Sequence, residues 1–388
     1  MKVGIFTDTY KPQINGVVTS VCLMEQKLRE NGHEPYIFTV THPDVRPLKD
    51  PDNVFRISSV KFWGNTEHRI AKLYSQKMLH KVKDLDIDII HSHAPFSLGI
   101  MGHLIARRLG IPEVHTYHTM LSDYTHYIKF GHLMPKEAAE NYSRVFCNRV
   151  DAVIVPTPKV YEALKNYGVK KPMYVIPTGI DLPQFLKKVP ENELELIRKN
   201  LNILPDDKLL IFVGRIAKEK SIDKLIHYHK ALSNKDPKFK LLIVGGGDYL
   251  DELKSLVESL SLSNKVIFAG KSRYEELPHY YQIAKCFVTA STSETQGLVV
   301  LEAAASGLPV VAINDESYNT VLFEGQNGLY YHTEDEYIAA LEKLFANPEA
   351  MKVMGTKSLE IADSFSSDNF YNRIMNVYTE AIANYKKK

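Results

Sequence analysis

Short runs of apolar, β-prone residues alternate with helical patterns along the whole chain, and the series occurs twice. In the first half the runs are 3–7, 36–40, 87–92, 113–117, 152–156 and 173–177, with helical stretches near 17–31, 69–85, 97–109, 136–149 and 158–167. The second half repeats the rhythm with runs at 209–214, 240–245, 266–269, 286–290 and 309–312, and helices near 219–233, 248–260, 274–284 and 297–306. Continuous apolar strands alternating with helices predict an α/β chain with parallel sheets covered on both faces. Two such series predict two doubly wound, Rossmann-like domains. The seam falls near 178–205, where PTGIDLPQF leaves one sheet and a polar stretch ends at LPDD. The expected domains are 1–185 and 205–365, with a last helical segment, 366–388, packing back on the first. In open α/β sheets ligands bind at the carboxyl ends of the strands. Two facing sheets then put the expected site in the cleft between the domains.

Composition excludes more than it selects. With 388 residues, 44% hydrophobic and 24% charged, the chain is neither disordered, fibrous nor a coiled coil. Its three cysteines, Cys22, Cys147 and Cys286, are far apart with no CxxC pair, against a disulfide scaffold or a zinc-thiolate site and in favour of a reducing compartment. The N-terminal MKVGIFTDTY is too polar for a signal peptide. The longest apolar stretch, 297–313, is broken by Glu302 and Ser306, so no membrane span is expected and the location predicted is cytoplasmic. The net charge of +2 hides an asymmetry: residues 1–180 carry 23 Lys+Arg against 17 Asp+Glu, and 181–388 carry 25 against 29. A basic first half suggests an anionic partner for that half, although a surplus this small also arises by chance.

Four segments carry candidate chemistry. KVGIFTD is followed by TYKPQINGVV and not by GxGxxG, which counts against a nicotinamide dehydrogenase. Asn15-Gly16 runs into a helix start whose backbone N–H groups suit a phosphate; a plain turn glycine is the bland alternative. In LLIFVGRIAKEKS, Gly214 and Arg215 directly follow a buried strand and Lys220 stands near the next helix start. Two cations there form a clamp for a pyrophosphate. The same spacing also allows a surface pair of Arg215 with Glu219, but the place of Arg215 right after an apolar strand favours the clamp. The glycines of LLIVGGGDYLDEL say only that something approaches the backbone closely. The strongest signal is CFVTASTSETQGLVVLEAAASGLPVV. Glu294 lies in a loop, the N–H groups of Gln296, Gly297 and Leu298 open a helix, and Glu302 sits inside it. Two acceptor carboxylates at this separation suit two vicinal diols, one on a hexose and one on a ribose. A capping role explains Glu294 but not a second Glu in an Ala/Val/Leu helix.

These residues resemble the retaining glycosyltransferases of family 4, which have the GT-B fold. Glu294 and Glu302 form that family's E-x7-E pattern, Arg215 and Lys220 match its donor-diphosphate pair, Gly16 its loop glycine, and His118 its histidine near the sugar C6 hydroxyl. The similarity covers essentially the whole chain. More narrowly, FTDTYKPQINGVVTSV, HSHAPFSLG, HTYHTMLSDYTHYI, VIPTGID and SETQGLVVLEA are similar to diacylglycerol α-glucosyltransferases. Ser221 departs from the glycine common after the lysine. The resemblance implies glucose transfer from UDP-glucose to the 3-hydroxyl of 1,2-diacylglycerol, in glycolipid and lipoteichoic acid anchor synthesis. It implies a catalytic set of Arg215, Lys220, His118 and Glu294, and a donor-binding set of Gly16, Gly214, Gln296, Gly297, Leu298 and Glu302. Asp123 is expected on the acceptor side. The departing phosphate takes the acceptor proton on the same face; the arginine–lysine clamp already does the work of a metal, so no cofactor or metal is expected.

Two patterns invite a metal reading. Asp84, Asp86 and Asp88 give overlapping D-x-D, yet they sit where a helix passes into a strand and read as a solvated junction. His91, His93, His115 and His118 have ligand-like spacing, but strand ends feeding a cleft collect polar residues anyway. For an anionic membrane surface, RIAKLYSQKMLHKVK spaces Ile70, Tyr74, Met78 and Val82 four apart among cations that include Lys72, Lys77 and Lys81. A basic amphipathic helix of this kind lies on a bilayer or covers a sheet. The loop YTHYIKFGHLMPK adds Tyr127 and Phe130 and favours peripheral contact with the inner face of the cell membrane. No nucleic-acid partner is expected. The rival readings are a family-4 enzyme with another donor sugar or a sterol, inositol or soluble sugar acceptor, an epimerase or phosphorylase on a similar fold, and a non-catalytic nucleotide-sugar-binding scaffold.

Overall fold

The computed structural model describes residues 1–13, 15–43, 50–61, 69–72, 75–121 and 135–387. They form two compact units, Met1–Gly179 with Ser367–Lys388, and Ile180–Ser366. The strands of the first unit are β1 (Lys2–Phe6), β2 (Glu34–Val40), β3 (Val54–Ile57), β4 (Ser59–Lys61), β5 (Arg69–Ala71), β6 (Ile89–Ser92), β7 (Glu113–Thr116), β8 (Ala152–Val155) and β9 (Met173–Val175). Seven of them make one parallel sheet in the order β3-β2-β1-β6-β7-β8-β9, and β4 pairs antiparallel with β5. The second unit has β10 (Lys208–Val213), β11 (Phe239–Val244), β12 (Val266–Gly270), β13 (Cys286–Thr289), β14 (Val310–Ile313) and β15 (Gly328–Tyr331), in the parallel order β12-β11-β10-β13-β14-β15. Each sheet therefore reverses its strand order once, between β1 and β6 in the first and between β10 and β13 in the second. Crevices at such points are where open α/β sheets bind ligands.

The boundary between the units falls earlier than the composition suggested. Residues 180–185, expected in the first domain, and the connecting stretch after them fold into the second. Ile180, Leu182, Phe185, Leu194 and Ile203 are buried in its core; Leu182 and Phe185 lie on the helix Leu182–Leu186 and Leu194 on the helix Glu191–Asn200. Phe185 meets the rings of Tyr274 and Tyr281 edge-on.

The last helix, Ser367–Tyr385, packs in the first unit. Phe370, Ile374, Val377, Tyr378 and Ala381 form an apolar stripe at helical spacing, buried with Val3, Ile5 and Val21. Tyr378 OH bonds the buried ring of His91 at 2.7 Å, and Lys27 pairs with Asp368 at 2.5 Å.

The helix expected over 69–85 is a correction. Residues 69–71 are strand β5, with Ile70 paired to Val60 and the Arg69 guanidinium on Ser59. The helix is only Gln76–Asp84, capped by the Ser75 hydroxyl on the Met78 N–H. Its apolar residues Met78, Leu79 and Val82 are buried against Phe6, Phe38, Ile90 and Met101. Of the two surfaces that pattern allowed, a bilayer or a sheet, Met78, Leu79 and Val82 cover the sheet. Lys72 and Lys77 remain exposed, while Lys81 is half-buried with Nζ 4.7 Å from the Phe55 ring centre. Tyr74, Asp123, Tyr127 and Phe130 lie outside the described residues. Asp84 closes that helix, and the Asp88 carboxylate accepts the Lys2 N–H at 2.7 Å, where β1 and β6 begin.

Candidate functional site

In the second unit the candidate residues gather where β10 and β13 end side by side. Gly214 leaves β10 at φ 154°, a conformation that disfavours any side chain, and Arg215 follows. The loop keeps the ladder going: the Gly214 N–H donates to Val244 O and the Ile216 N–H to Gly246 O, each at 3.0 Å. This explains the glycine run after β11. A Cβ on Gly245 would strike Gly214 O, and one on Gly247 would strike Ile216 O. What approaches those glycines is the backbone that carries Arg215. One 3-10 turn, Lys218–Lys220, then leads through left-handed Ser221 into the helix Ile222–Lys235.

The loop after β13 locks onto this one. Lys220 Nζ lies 2.5 Å from Glu294 Oε1, the Ser291 hydroxyl donates to the same oxygen at 3.1 Å, and the Ser293 hydroxyl donates to Glu219 O at 3.1 Å. Arg215 Nη2 donates to Glu219 Oε1 at 2.5 Å, so the pairing weighed against the clamp is present. Glu219 is not a surface carboxylate, however: its side chain is 4% exposed while that of Arg215 is 30% exposed. The pair anchors a guanidinium that still faces solvent, and a guanidinium's planar fork of donors suits a diphosphate. Buttressing hydroxyls of Tyr318 and Tyr331 donate to Ser291 O and Thr289 O.

Gly297, at φ 71°, starts the helix Leu298–Ala305, and a Cβ there would lie 2.8 Å from the Tyr318 ring. Helix geometry leaves the first-turn N–H groups without acceptors inside the helix. Glu302 is buried within it and accepts the Tyr281 hydroxyl at 2.9 Å. Burial pushes its carboxyl up to about 8, and the Tyr281 bond lowers it only in part. The picture of two acceptor-only carboxylates is therefore corrected: at neutral pH Glu302 holds a proton and can also donate.

In the first unit Asn15 caps the helix Gly16–Glu30, its Oδ1 accepting the Val18 N–H at 3.0 Å, and Gly16 is the exposed first residue. His118 stands two residues past β7, with Nε2 2.9 Å from His93 Nδ1. Burial pushes His118 down to about 4 and His115 to about 3. His115 Nδ1 lies 3.0 Å from the Ser92 hydroxyl, and His91 bonds Tyr378 OH and Thr116 Oγ1. Among the described residues no group of three or more His, Cys, Asp or Glu is placed to hold a metal ion.

Asp8 was missed. Two residues past β1, it is buried between the strand ends, accepts the Leu98 N–H at 3.1 Å and the Ser97 hydroxyl, and so caps the helix Ser97–Leu109 from another element. Burial pushes it up to about 6. The signal that singled out Arg215, a charge just past an apolar strand, was there in KVGIFTD as well.

A family model described as glycosyl transferases group 1 matches residues 194–360, and one described as glycosyltransferase family 4 matches residues 14–184. The chain is 39% identical over 385 residues to the alpha-monoglucosyldiacylglycerol synthase of Streptococcus pneumoniae, covering 98% of this chain and 86% of that one. It is 31% identical over 399 residues to the enzyme of the same name from Acholeplasma laidlawii, covering 100% and 99%. Among solved structures, Anabaena Alr3699/HepE in complex with UDP-glucose matches with a TM-score of 0.80 at 17% identity, over 98% of this chain and 100% of that one. At that identity the likeness is one of fold.

The buried Glu302 carboxyl makes a sign-definite prediction. Unfolded, it titrates near 4.5; folded, it keeps its proton to about 8, so the folded state binds the extra proton between those values. Its contribution to stability is lost as pH rises through that window. Glu302→Gln should gain stability over the wild type progressively from about pH 5 to about pH 8 in urea unfolding. A difference independent of pH would contradict a protonated buried acid.

Proposed function

The chain belongs to glycosyltransferase family 4 and has its GT-B fold of two Rossmann-like units, and on that premise we propose that it transfers glucose, with retention, from UDP-glucose to the 3-hydroxyl of 1,2-diacylglycerol. The product is α-monoglucosyldiacylglycerol. The observation that carries the donor side is the set Arg215, Lys220 and Glu294 at the strand reversal of the second unit. The shared name of the two relatives supports the acceptor.

Breaking the bond to the anomeric carbon builds negative charge on the β-phosphate of the leaving UDP. Arg215 and Lys220, with first-turn N–H groups at Gln296–Leu298, stabilise that charge in a site already polarised for it. Glu219 and Glu294 hold the two cations in place before substrate arrives, so little reorganisation is left for the reaction. Glu294 also meets the hexose hydroxyls, and Glu302, beside Tyr281, meets the ribose. Gly214, free of a side chain, keeps the strand end open to the diphosphate. His118 orients the hexose, the helix start at Gly16 adds backbone donors, and the acceptor hydroxyl gives its proton to the departing phosphate on the same face. No resident metal or cofactor takes part in this scheme.

Among the described residues no helix is long and apolar enough to cross a membrane. We read the protein as peripheral on the cytoplasmic face of an anionic membrane, held by charge. The basic first half and the exposed Lys72 and Lys77 support that reading; the helix Gln76–Asp84 offers no apolar face for insertion.

Lys220→Ala should lower kcat about a hundredfold, about 3 kcal/mol in the barrier. A variant with near-wild-type turnover would remove Lys220 from the mechanism. Supplied with labelled UDP-glucose and diacylglycerol in mixed vesicles, the protein should form an alkali-labile α-glucosyl lipid, faster when anionic lipid is present. Donor binding without lipid product would overturn the acceptor, and equal rates with and without anionic lipid would overturn the charged surface.

A further inference from the structure

The amino ends of the strands in the first unit form the edge opposite its strand-end crevice, and a cavity opens there. The helix Ser97–Leu109 follows β6 and finishes just before β7, and the helix Lys136–Cys147 finishes just before β8. An open cavity of about 440 Å³ is lined by His103, Leu104, Arg107 and Arg108 of the first helix and by Arg149, which follows the second. That is ample room for a small anionic group.

The three guanidiniums are exposed, and among the described residues none makes an ion pair or a side-chain hydrogen bond. Elsewhere arginines have carboxylates of their own: Arg29 has Glu25, Arg56 has Asp50 and Arg215 has Glu219. A helix C-terminus favours a cation in its own last turn, which accounts for one guanidinium at a helix end. It does not account for three around one cavity, where they repel one another. The carboxylates at this strand edge are engaged with the protein itself. Glu113, 2% exposed, has Oε2 2.7 Å from His103 Nδ1 and accepts the Ser92 hydroxyl at 3.2 Å, and Asp151 accepts the Glu113 N–H at 3.0 Å. The pairing with Glu113 holds the buried His103 ring in the cavity wall, and the other ring nitrogen, Nε2, has no partner among the described residues.

We propose that this cavity binds a phosphate group, carried either by free phosphate and phosphorylated small molecules or by the headgroup of an anionic phospholipid. A guanidinium's fork of donors matches two phosphate oxygens at once, and here forks from two elements converge on one space. The bound anion takes the place of the carboxylates that the fold does not supply and relieves the repulsion. The site belongs to the first unit alone and shares no residue with the donor set of the second.

The test uses the full-length protein with UDP saturating, so that the donor residues are occupied, and two probes. Inorganic phosphate is titrated by calorimetry, and vesicles of phosphatidylcholine, plain or mixed with phosphatidylglycerol, are sedimented with the protein. Arg107→Gln and Arg149→Gln each remove one guanidinium from the cavity; Arg373→Gln removes the same charge from the exposed side of the last helix, in the same unit but outside the cavity. Each cavity variant should weaken binding of the recognised probe about tenfold, as the loss of a charge-assisted hydrogen bond does, while Arg373→Gln stays close to wild type. Loss seen with inorganic phosphate assigns the site to soluble phosphates, and loss seen only with phosphatidylglycerol vesicles assigns it to a lipid headgroup. Cavity variants that match Arg373→Gln with both probes, all being shown folded by thermal unfolding, would overturn the proposal. Neither readout measures glucose transfer, so the result stands apart from the reading of the donor and acceptor.

Discussion

The ion pair between Lys220 and Glu294 is the contact on which the second unit's site depends. Its partners are 74 residues apart in the chain, and they meet only because β10 and β13 are neighbours in the sheet. The reversal of strand order at that point sends the two following loops off in different directions and leaves a crevice between their first residues. Both loops are then held by short-range devices: Gly214 and Gly297 at positive φ, Ser291 on Glu294 within its own loop, Ser293 crossing to Glu219 O, and Tyr318 and Tyr331 bracing carbonyls from beneath. Two lysine or arginine charges near one another repel. Here each has a carboxylate of its own, so the cations can wait in place for a diphosphate.

The first unit relies instead on uncharged imidazoles and on a carboxyl whose charge burial disfavours. Asp8, His93 and His118 all stand within two residues of a strand's carboxyl end; Asp8 and His93 are buried and His118 is half-buried. Burial drives the aspartate up and the histidines down, so each moves towards its uncharged form. Hydrogen bonds then set direction where charge cannot. The helix Ser367–Tyr385 is part of that arrangement, because Tyr378 reaches the His91 ring from the far end of the sequence.

Much of this was legible before any coordinates. Central strands read clearly, because a strand covered on both faces must be apolar along its length: LLIFV, LLIV and CFVT all became strands. The edge strands were uneven: β9 and β12 fell on expected runs, while β3 and β15 did not. VFRI and GLYY are four residues long and flanked by polar stretches, with little to separate them from loops. The helix over 69–85 failed for a different reason. Period-four spacing of apolar residues cannot distinguish a helix from a three-residue strand followed by a capped helix, nor a bilayer from a sheet as the surface covered. Arg215, Lys220, Glu294 and Glu302 were found by chemistry placed after apolar runs, and the structure puts the first three in one hydrogen-bonded set. The protonation of Glu302 was not legible, since it depends on Tyr281 and on burial by elements far off in the chain.

The central claim is a division of labour in the second unit, with Arg215 and Lys220 on the diphosphate and Glu294 on the hexose. Calorimetric titration of Glu294→Gln with UDP and with UDP-glucose tests it most directly. The account predicts that UDP binding weakens modestly, as Lys220 loses its partner, while UDP-glucose binding weakens further because the additional affinity contributed by the glucose is lost. Equal weakening of both ligands would show that Glu294 serves the diphosphate site alone, and the account would be wrong.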